Sequence, residues 1–274
     1  MAITASQVNE LRKKTGAGMM DCKKALVEAD GDTEKAIDLL RKKGQKVAAK
    51  RGDNEAKEGL IFAESKGGKG YMIQLNCETD FVAKNDDFRS FVNALLKVGV
   101  DNDLSSVEEL KAAKFDDKLT VEEKITEQIG VIGEKLDVSQ FAKVQAEEVV
   151  AYNHPGNQIA TLVGLNKSSD KAAEAGRQVA MQVAAMNPVA LDKSGVDKET
   201  VEREIEVGKD LAIQEGKPAD LAEKIAQGRL NKFFKENTLL SQPFVRDNKQ
   251  SVEQFLKSEE DGLTVTDFKR FSLS

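Results

Sequence analysis

The sequence is short of the residues that build metal sites, disulfide frameworks and membrane spans. It has one histidine, His154, and two cysteines, Cys22 and Cys77. A zinc site would lack ligands, and two thiols do not make the disulfide framework of a small secreted domain. No apolar run reaches the roughly 18 residues of a membrane helix. The opening MAITASQVNE has no basic start followed by an apolar stretch, so no signal peptide is expected and a cytoplasmic location is. Basic excess is missing as well: 41 Lys and Arg against 47 Asp and Glu leave a net charge of −6, with no basic blocks. Nucleic-acid and anionic-membrane binders normally carry a basic face. The expected partner is therefore a protein surface, with no direct nucleic-acid contact and no membrane.

What is present suits a folded chain with real cores. At 274 residues, 40% hydrophobic and 32% charged, it can form one large domain or two to three smaller ones. Three short helices are expected in the first fifty residues. Thr4 and Gln7 are spaced as a capping box before Val8 and Leu11. Cys22, Ala25, Leu26 and Ala29 mark a second helix, and Ala36, Ile37 and Leu40 a third that Gly44 would stop. QKVAAKRGDNEAKEG at 45–59 is polar and glycine-spaced, and reads as a linker.

A hairpin follows, GLIFAES and YMIQLNC around KGGKG, with Tyr71, Ile73, Leu75 and Cys77 alternating onto one face. Phe88, Phe91, Val92, Leu95 and Leu96 then form one helical stripe. Ser106 with Glu109 and Thr120 with Glu123 read as further capping boxes, the second opening a helix with Val121, Ile125, Ile129, Ile132 and Leu136. FAKVQAEEVVAYN and QIATLVGL read as a second strand pair around HPGN, before a small-residue-rich helix ended by Pro188. Strands then helices, twice, predict an α+β fold with two similar halves. Residues 197–236 read as an antiparallel helical hairpin, with stripes Val201, Ile205, Gly208, Ala212 and Leu221, Ile225, Arg229 around Gly-Lys-Pro. Ser251 and Gln254 cap one more helix before a final strand. The domain plan is 1–48 for the helical module, 49–58 linker, 59–138 core N-subdomain, 139–196 with 237–274 core C-subdomain, and 197–236 hairpin.

Catalytic chemistry has little to work with. His154 sits in the turn YNHPGN with no serine or cysteine tied to it by spacing. Both cysteines fall on apolar faces, where a thiol acts as a small hydrophobe. TGAG and GGKG lack the Lys-Ser/Thr ending and the strand-to-helix setting of a phosphate loop. No cofactor, metal site or catalytic residue is expected, and an enzyme would need a convergent polar pocket around His154 or Cys77. One stretch resists a structural reading. In LNCETDFVAKND, Asp80 and Phe81 follow the strand, yet the helical stripe starts only at Phe88. Asp80 as a helix N-cap with Phe81 in the core is one reading. A ring presented as an interface anchor is the other, since such rings dominate hot spots.

LRKKTGAGMMDCKKAL at 11–26, NCETDFVAK at 76–84 and QPFV at 242–245 resemble, in order and spacing, the signature stretches of the bacterial translation elongation factor Ts family. The resemblance covers essentially the whole chain. One departure is Gln158 in HPGNQIATLV, where the family often has a basic residue. The resemblance implies a three-helix module similar to ubiquitin-associated domains, a core of two α/β subdomains and a protruding helical hairpin. It also implies a guanine nucleotide exchange factor, not an enzyme, whose partner is the GTPase elongation factor Tu. Thr79, Asp80, Phe81 and Val82 would disturb Mg²⁺ at the nucleotide site of that GTPase. Leu11, Arg12, Met19, Met20, Lys23 and His154 carry over as contacts, and a homodimer is left open. A rival reading, an adaptor for ubiquitin-like proteins, would explain the first fifty residues and leave 60–274 unassigned.

Overall fold

A computed structural model describes residues 3–273, apart from the side chain of Asp220. The fold mixes helices and strands, consistent with the α+β expectation. Three helices come first: α1 (Ala5–Thr15), α2 (Met19–Glu28) and α3 (Thr33–Arg51). Thr4 and Gln7 form the expected capping box, and Gly16 closes α1 at φ 70°, in the left-handed region that favours glycine. Val8, Leu11, Cys22, Leu26 and Ala36 are buried together.

Helix α3 does not stop at Gly44. It runs to Arg51, so residues 45–51 are helix rather than linker. The cause is a close crossing with a helix from further along the chain, Val121–Ile132. A Cβ on Gly130 would lie 2.6 Å from the Cα of Gly44, and one on Gly44 would lie 3.0 Å from the carbonyl oxygen of Thr126. Glycine costs a helix interior roughly 1 kcal/mol against alanine, and here that cost is offset by packing that any side chain would forbid. Val131 of the same helix packs on the core of the three-helix module.

Strands β1 (Glu58–Lys66) and β2 (Lys69–Cys77) form the expected hairpin. Between β2 and β3 (Asp137–Gln145) come α4 (Asp80–Ala83), α5 (Asp86–Asp101), α6 (Val107–Ala112) and α7, the Val121–Ile132 helix above. The sheet order is β1-β2-β3. As the central strand, β2 is buried along Gly70–Cys77 on both faces. The face opposite Ile73 and Leu75 carries Gln74 and Asn76, bonded to each other at 3.0 Å and to Gln140 and Ser139 of β3. The α5 stripe is buried as expected. Helix α7 ends at Gly133, φ 82°, so Leu136 lies beyond it. Thr120 and Glu123 form their capping box, whereas the Glu109 carboxylate accepts from Ser105 N and Oγ instead of Ser106.

The run 141–153, expected as one strand, is two. After β3 the chain bends at Ala146 before β4 (Glu148–Asn153), which pairs antiparallel with β5 (Ile159–Leu165). The hairpin tip causes the bend: Ala146 N donates to Gly68 O and Val149 N to Gly67 O, both at 3.0 Å. Next come α8 (Asp170–Met186), α9 (Lys198–Gln214), α10 (Ala219–Asn237), β6 (Pro243–Phe244), β7 (Asp247–Ser251), α11 (Val252–Glu259) and β8 (Val265–Ser272). Strand β8 joins β5. Val163, Leu165, Val179, Val183, Leu256 and Val265 make the core here. Phe244 of the QPFV stretch stacks on Phe255 at 4.1 Å, an arrangement that adds to plain burial.

The chain divides into two compact units. One takes the chain up to Phe62 with Ile73–Ala142, the other Ala63–Met72 with Lys143–Phe271. In the second unit α9 and α10 pack along each other and touch other elements only marginally. The α9 seam is the expected one, with Gly208 and Ala212 buried. The α10 seam is shifted by one residue, to Ala222, Ala226 and Leu230, leaving Leu221 exposed. A Cβ on Gly208 would lie 3.0 Å from the Cα of Ala226, so small residues set the close approach. Deleting 197–236 and bridging the gap with a short flexible linker should therefore leave the remaining fold cooperative. Circular dichroism and a thermal melt check this; loss of the transition would place the hairpin in the core.

Candidate functional site

Thr79 is the N-cap of α4: its Oγ1 accepts from Val82 N at 3.4 Å. Asp80 is therefore the first helical residue and not the cap. Phe81 follows it and is not in the core, with 82% of its surface exposed. Val82 is half-buried and Ala83 faces inward. A four-residue helix thus turns one small side chain into the protein and one ring out of it.

Two carboxylates bind this turn crosswise to the end of α7. Glu134 accepts from Glu78 N at 3.1 Å, from Thr79 N at 3.0 Å and from Thr79 Oγ1 at 2.6 Å. Glu78 accepts in return from Lys135 N at 2.6 Å, from Arg51 at 2.9 Å and from Asn54 at 3.0 Å. The Lys135 ammonium donates to the carbonyls of Gly52 and Asn54. The Lys135 N–H, then Arg51 and Asn54, hold the Glu78 carboxyl below its usual range. Its folded-state value is depressed, so its contribution is complete above about pH 5 and is lost only as acid protonates it. The bracket is intact at neutral pH.

Asp80 is paired with Lys84 at 2.6 Å, one turn on. The Lys84 hydrogen bond holds the Asp80 carboxyl below its usual range, so it is an anion at neutral pH. Beneath the turn, Cys77 Sγ donates to Thr79 O at 3.2 Å. Burial, and then the charge of Glu134, push the Cys77 thiol up to about 12. Since the thiolate is the reactive form, maleimide labelling of native Cys77 should be at least about a hundredfold slower than in denaturant. Cys22, fully enclosed, should also resist, and fast labelling of either would contradict the burial.

The remaining predicted residues divide between surface and core. Met19 and Met20 open α2 and are 54% and 62% exposed. Arg12 on α1 and Lys23 on α2 are exposed too. Leu11 is fully enclosed in the module core, which corrects its expected role as a contact: no partner can reach it, and its part is to hold α1 in place. His154 belongs to the second unit, in the turn between β4 and β5, where Tyr152 Oη lies 3.0 Å from its Nδ1. A groove beside it is lined mainly by apolar groups, among them Ile159, Met181 and Val245, and also by Arg246 and Arg270. Among the described residues no cluster of three or more His, Cys, Asp or Glu could hold a metal, and no helix is long and apolar enough to cross a membrane. Sequence reasoning missed Glu78, Glu134, Arg51 and Lys135; a lone acid after a helix-stopping glycine carries no periodic signal.

A family model described as Elongation factor TS matches residues 78–274. Elongation factor Ts of Christiangramia forsetii is 54% identical over 273 residues, covering 99% of this chain and 98% of the relative. This chain belongs to the elongation factor Ts family. Elongation factor Ts of Amoebophilus asiaticus is 50% identical, with 98% of each chain covered, and that of Porphyromonas gingivalis 44% identical over 274 residues, covering 100% and 99%. The family gives the chain a role in translation elongation and protein biosynthesis. It also accounts for the residues that an adaptor reading leaves unassigned, because its model covers residues 78–274 and the full-length relatives align with the strands before them.

Proposed function

We propose that this chain is a guanine nucleotide exchange factor for elongation factor Tu. It binds the GDP-bound GTPase, inserts Phe81, disturbs the Mg²⁺ and nucleotide site and so promotes GDP release. It makes and breaks no covalent bond. The observation that carries this is the Phe81 ring, held out from a bracketed turn with an ionised Asp80 beside it. An isolated ring of that size contributes little to its own fold when exposed, whereas burying it on a partner can supply about 1.5–3 kcal/mol. Asp80 brings a charge to the same place. Mg²⁺ bridges protein groups to phosphate oxygens, so a carboxylate competing for the cation or for its donors loosens GDP.

Exchange is then a coupling free energy between two sites, and it is reciprocal. The factor binds the empty GTPase more tightly than the GDP form, and GDP weakens the factor by the same factor. Arg12, Met19, Met20 and Lys23 supply a second contact on the partner, with methionines suited to an adaptable surface. His154 contributes a third from the other unit. Nucleic acid and membrane play no direct part, and the factor works in the cytoplasm. The test is release of labelled GDP from purified elongation factor Tu, with and without this chain. Release at the spontaneous rate in its presence would end the reading.

A further inference from the structure

A one-turn helix does not persist on its own, because the first turn fixes several residues for a single hydrogen bond. Phe81, 82% exposed, buries too little to compensate. Yet α4 stands with its cap formed. The groups that hold it come from elsewhere in the sequence, and one carboxylate makes three of the bonds. Glu134 takes both backbone N–H groups leading into the turn, those of Glu78 and Thr79, and the Thr79 hydroxyl. That hydroxyl donates to Glu134 while it accepts from Val82 N, so Glu134 also orients the cap. Glu134 itself has a fixed backbone, since Gly133 N bonds Ile129 O at 2.8 Å and ends α7 immediately before it.

We propose that Glu134 is a positioning residue for exchange: through Thr79 it holds Asp80 and Phe81 in the shape presented to the GTPase. This rests on the reading of Phe81 given above. Glu134 need not touch the partner. Its effect is to spare the partner the ordering of a loop, which would otherwise be drawn from binding. Glutamine at this position keeps the size but removes the charge, and its amide N–H can meet the Thr79 hydroxyl only as a donor, so that hydroxyl must reverse its role and the charge-assisted bonds become weaker neutral ones.

The experiment uses the full chain carrying Glu134→Gln, alone and combined with Phe81→Ala. Expected for Glu134→Gln is a maximal GDP-release rate lower by about fivefold, near 1 kcal/mol of transition-state stabilisation. In the Phe81→Ala background the same change should cost clearly less than fivefold, because the part of its effect that passes through the ring is gone and only the part through Asp80 is left. An undiminished fivefold loss there, or normal exchange in the single variant, overturns the proposal. Glu134→Asp, which keeps the charge, should recover part of the rate, and the same cycle is run on it should the glutamine variant fold poorly. Amide hydrogen exchange in the free chain separates the two readings. Glu134→Gln should speed exchange at Glu78, Thr79 and Val82 about tenfold or more and leave the α5 amides unchanged. Unchanged protection with an active parent chain defeats positioning alone. An inactive parent chain defeats the exchange reading, whatever the amides do.

Discussion

Phe81→Ala is expected to melt within about two degrees of the parent chain while GDP release falls roughly tenfold, or about 1.4 kcal/mol of transition-state stabilisation. The two halves of that result have separate causes. Truncating a core phenylalanine costs about 3–5 kcal/mol of stability, but this ring is 82% exposed and packs on little of its own chain. What the variant loses is burial made on the partner. Asp80→Asn, nearly isosteric, should bind better than Phe81→Ala and respond differently to added Mg²⁺, since it removes charge and keeps the ring. A badly destabilised Phe81→Ala with normal exchange per folded molecule would contradict both the exposure and the role. Differential scanning calorimetry beside a GDP-release assay reads both.

Gly130→Val should be strongly damaging to the fold around the site. Its Cβ alone would lie 2.6 Å from the Gly44 Cα, a backbone atom that cannot swing aside. Helices α3 and α7 must separate, at a cost of roughly 3 kcal/mol, equivalent to a fall in Tm of roughly 6–12 °C for the unit that holds them. The damage should reach exchange as well. Separating these helices pulls Arg51 from Glu78 and shifts Glu134, which follows α7 by two residues. Gly228→Ala, where nothing lies near the added Cβ, is the control and should not lower Tm. A normal melt for Gly130→Val would mean that the helices do not cross this closely.

Local signals in the sequence were read well where local physics decides. Capping pairs at Thr4, Thr120 and Ser251 marked helix starts, and period-3.6 stripes found α5 and α7. The failures share a cause, tertiary contact overriding a local rule. Gly44 resembled a helix stop but serves a crossing. A run with unbroken strand character was split at Ala146 by a hairpin tip nearly eighty residues away. The α10 seam slipped by one because alanines, not the larger Leu221 and Ile225, allow the close approach to α9. The site was half legible. Asp80 and Phe81 stood out because their pattern fits neither strand nor stripe, while the carboxylates that hold them are ordinary surface residues until long-range hydrogen bonds are seen.

The unbroken run of α3 to Arg51 bears on how many contacts can act at once. Two binding elements joined by a flexible tether meet their targets at an effective concentration in the millimolar range at best, falling with tether length. Here the methionine-bearing module and the Phe81 turn lie in one compact unit, joined through a helix crossing and the Arg51–Glu78 ion pair. The chain entropy of bringing the second element to its target was settled when the protein folded. On the proposed function the two act as a chelate: release of one leaves the other aimed, and rebinding competes with escape. Strength and selectivity then depend on whether the partner's two pockets have the right separation, so the factor reads a distance as well as a surface.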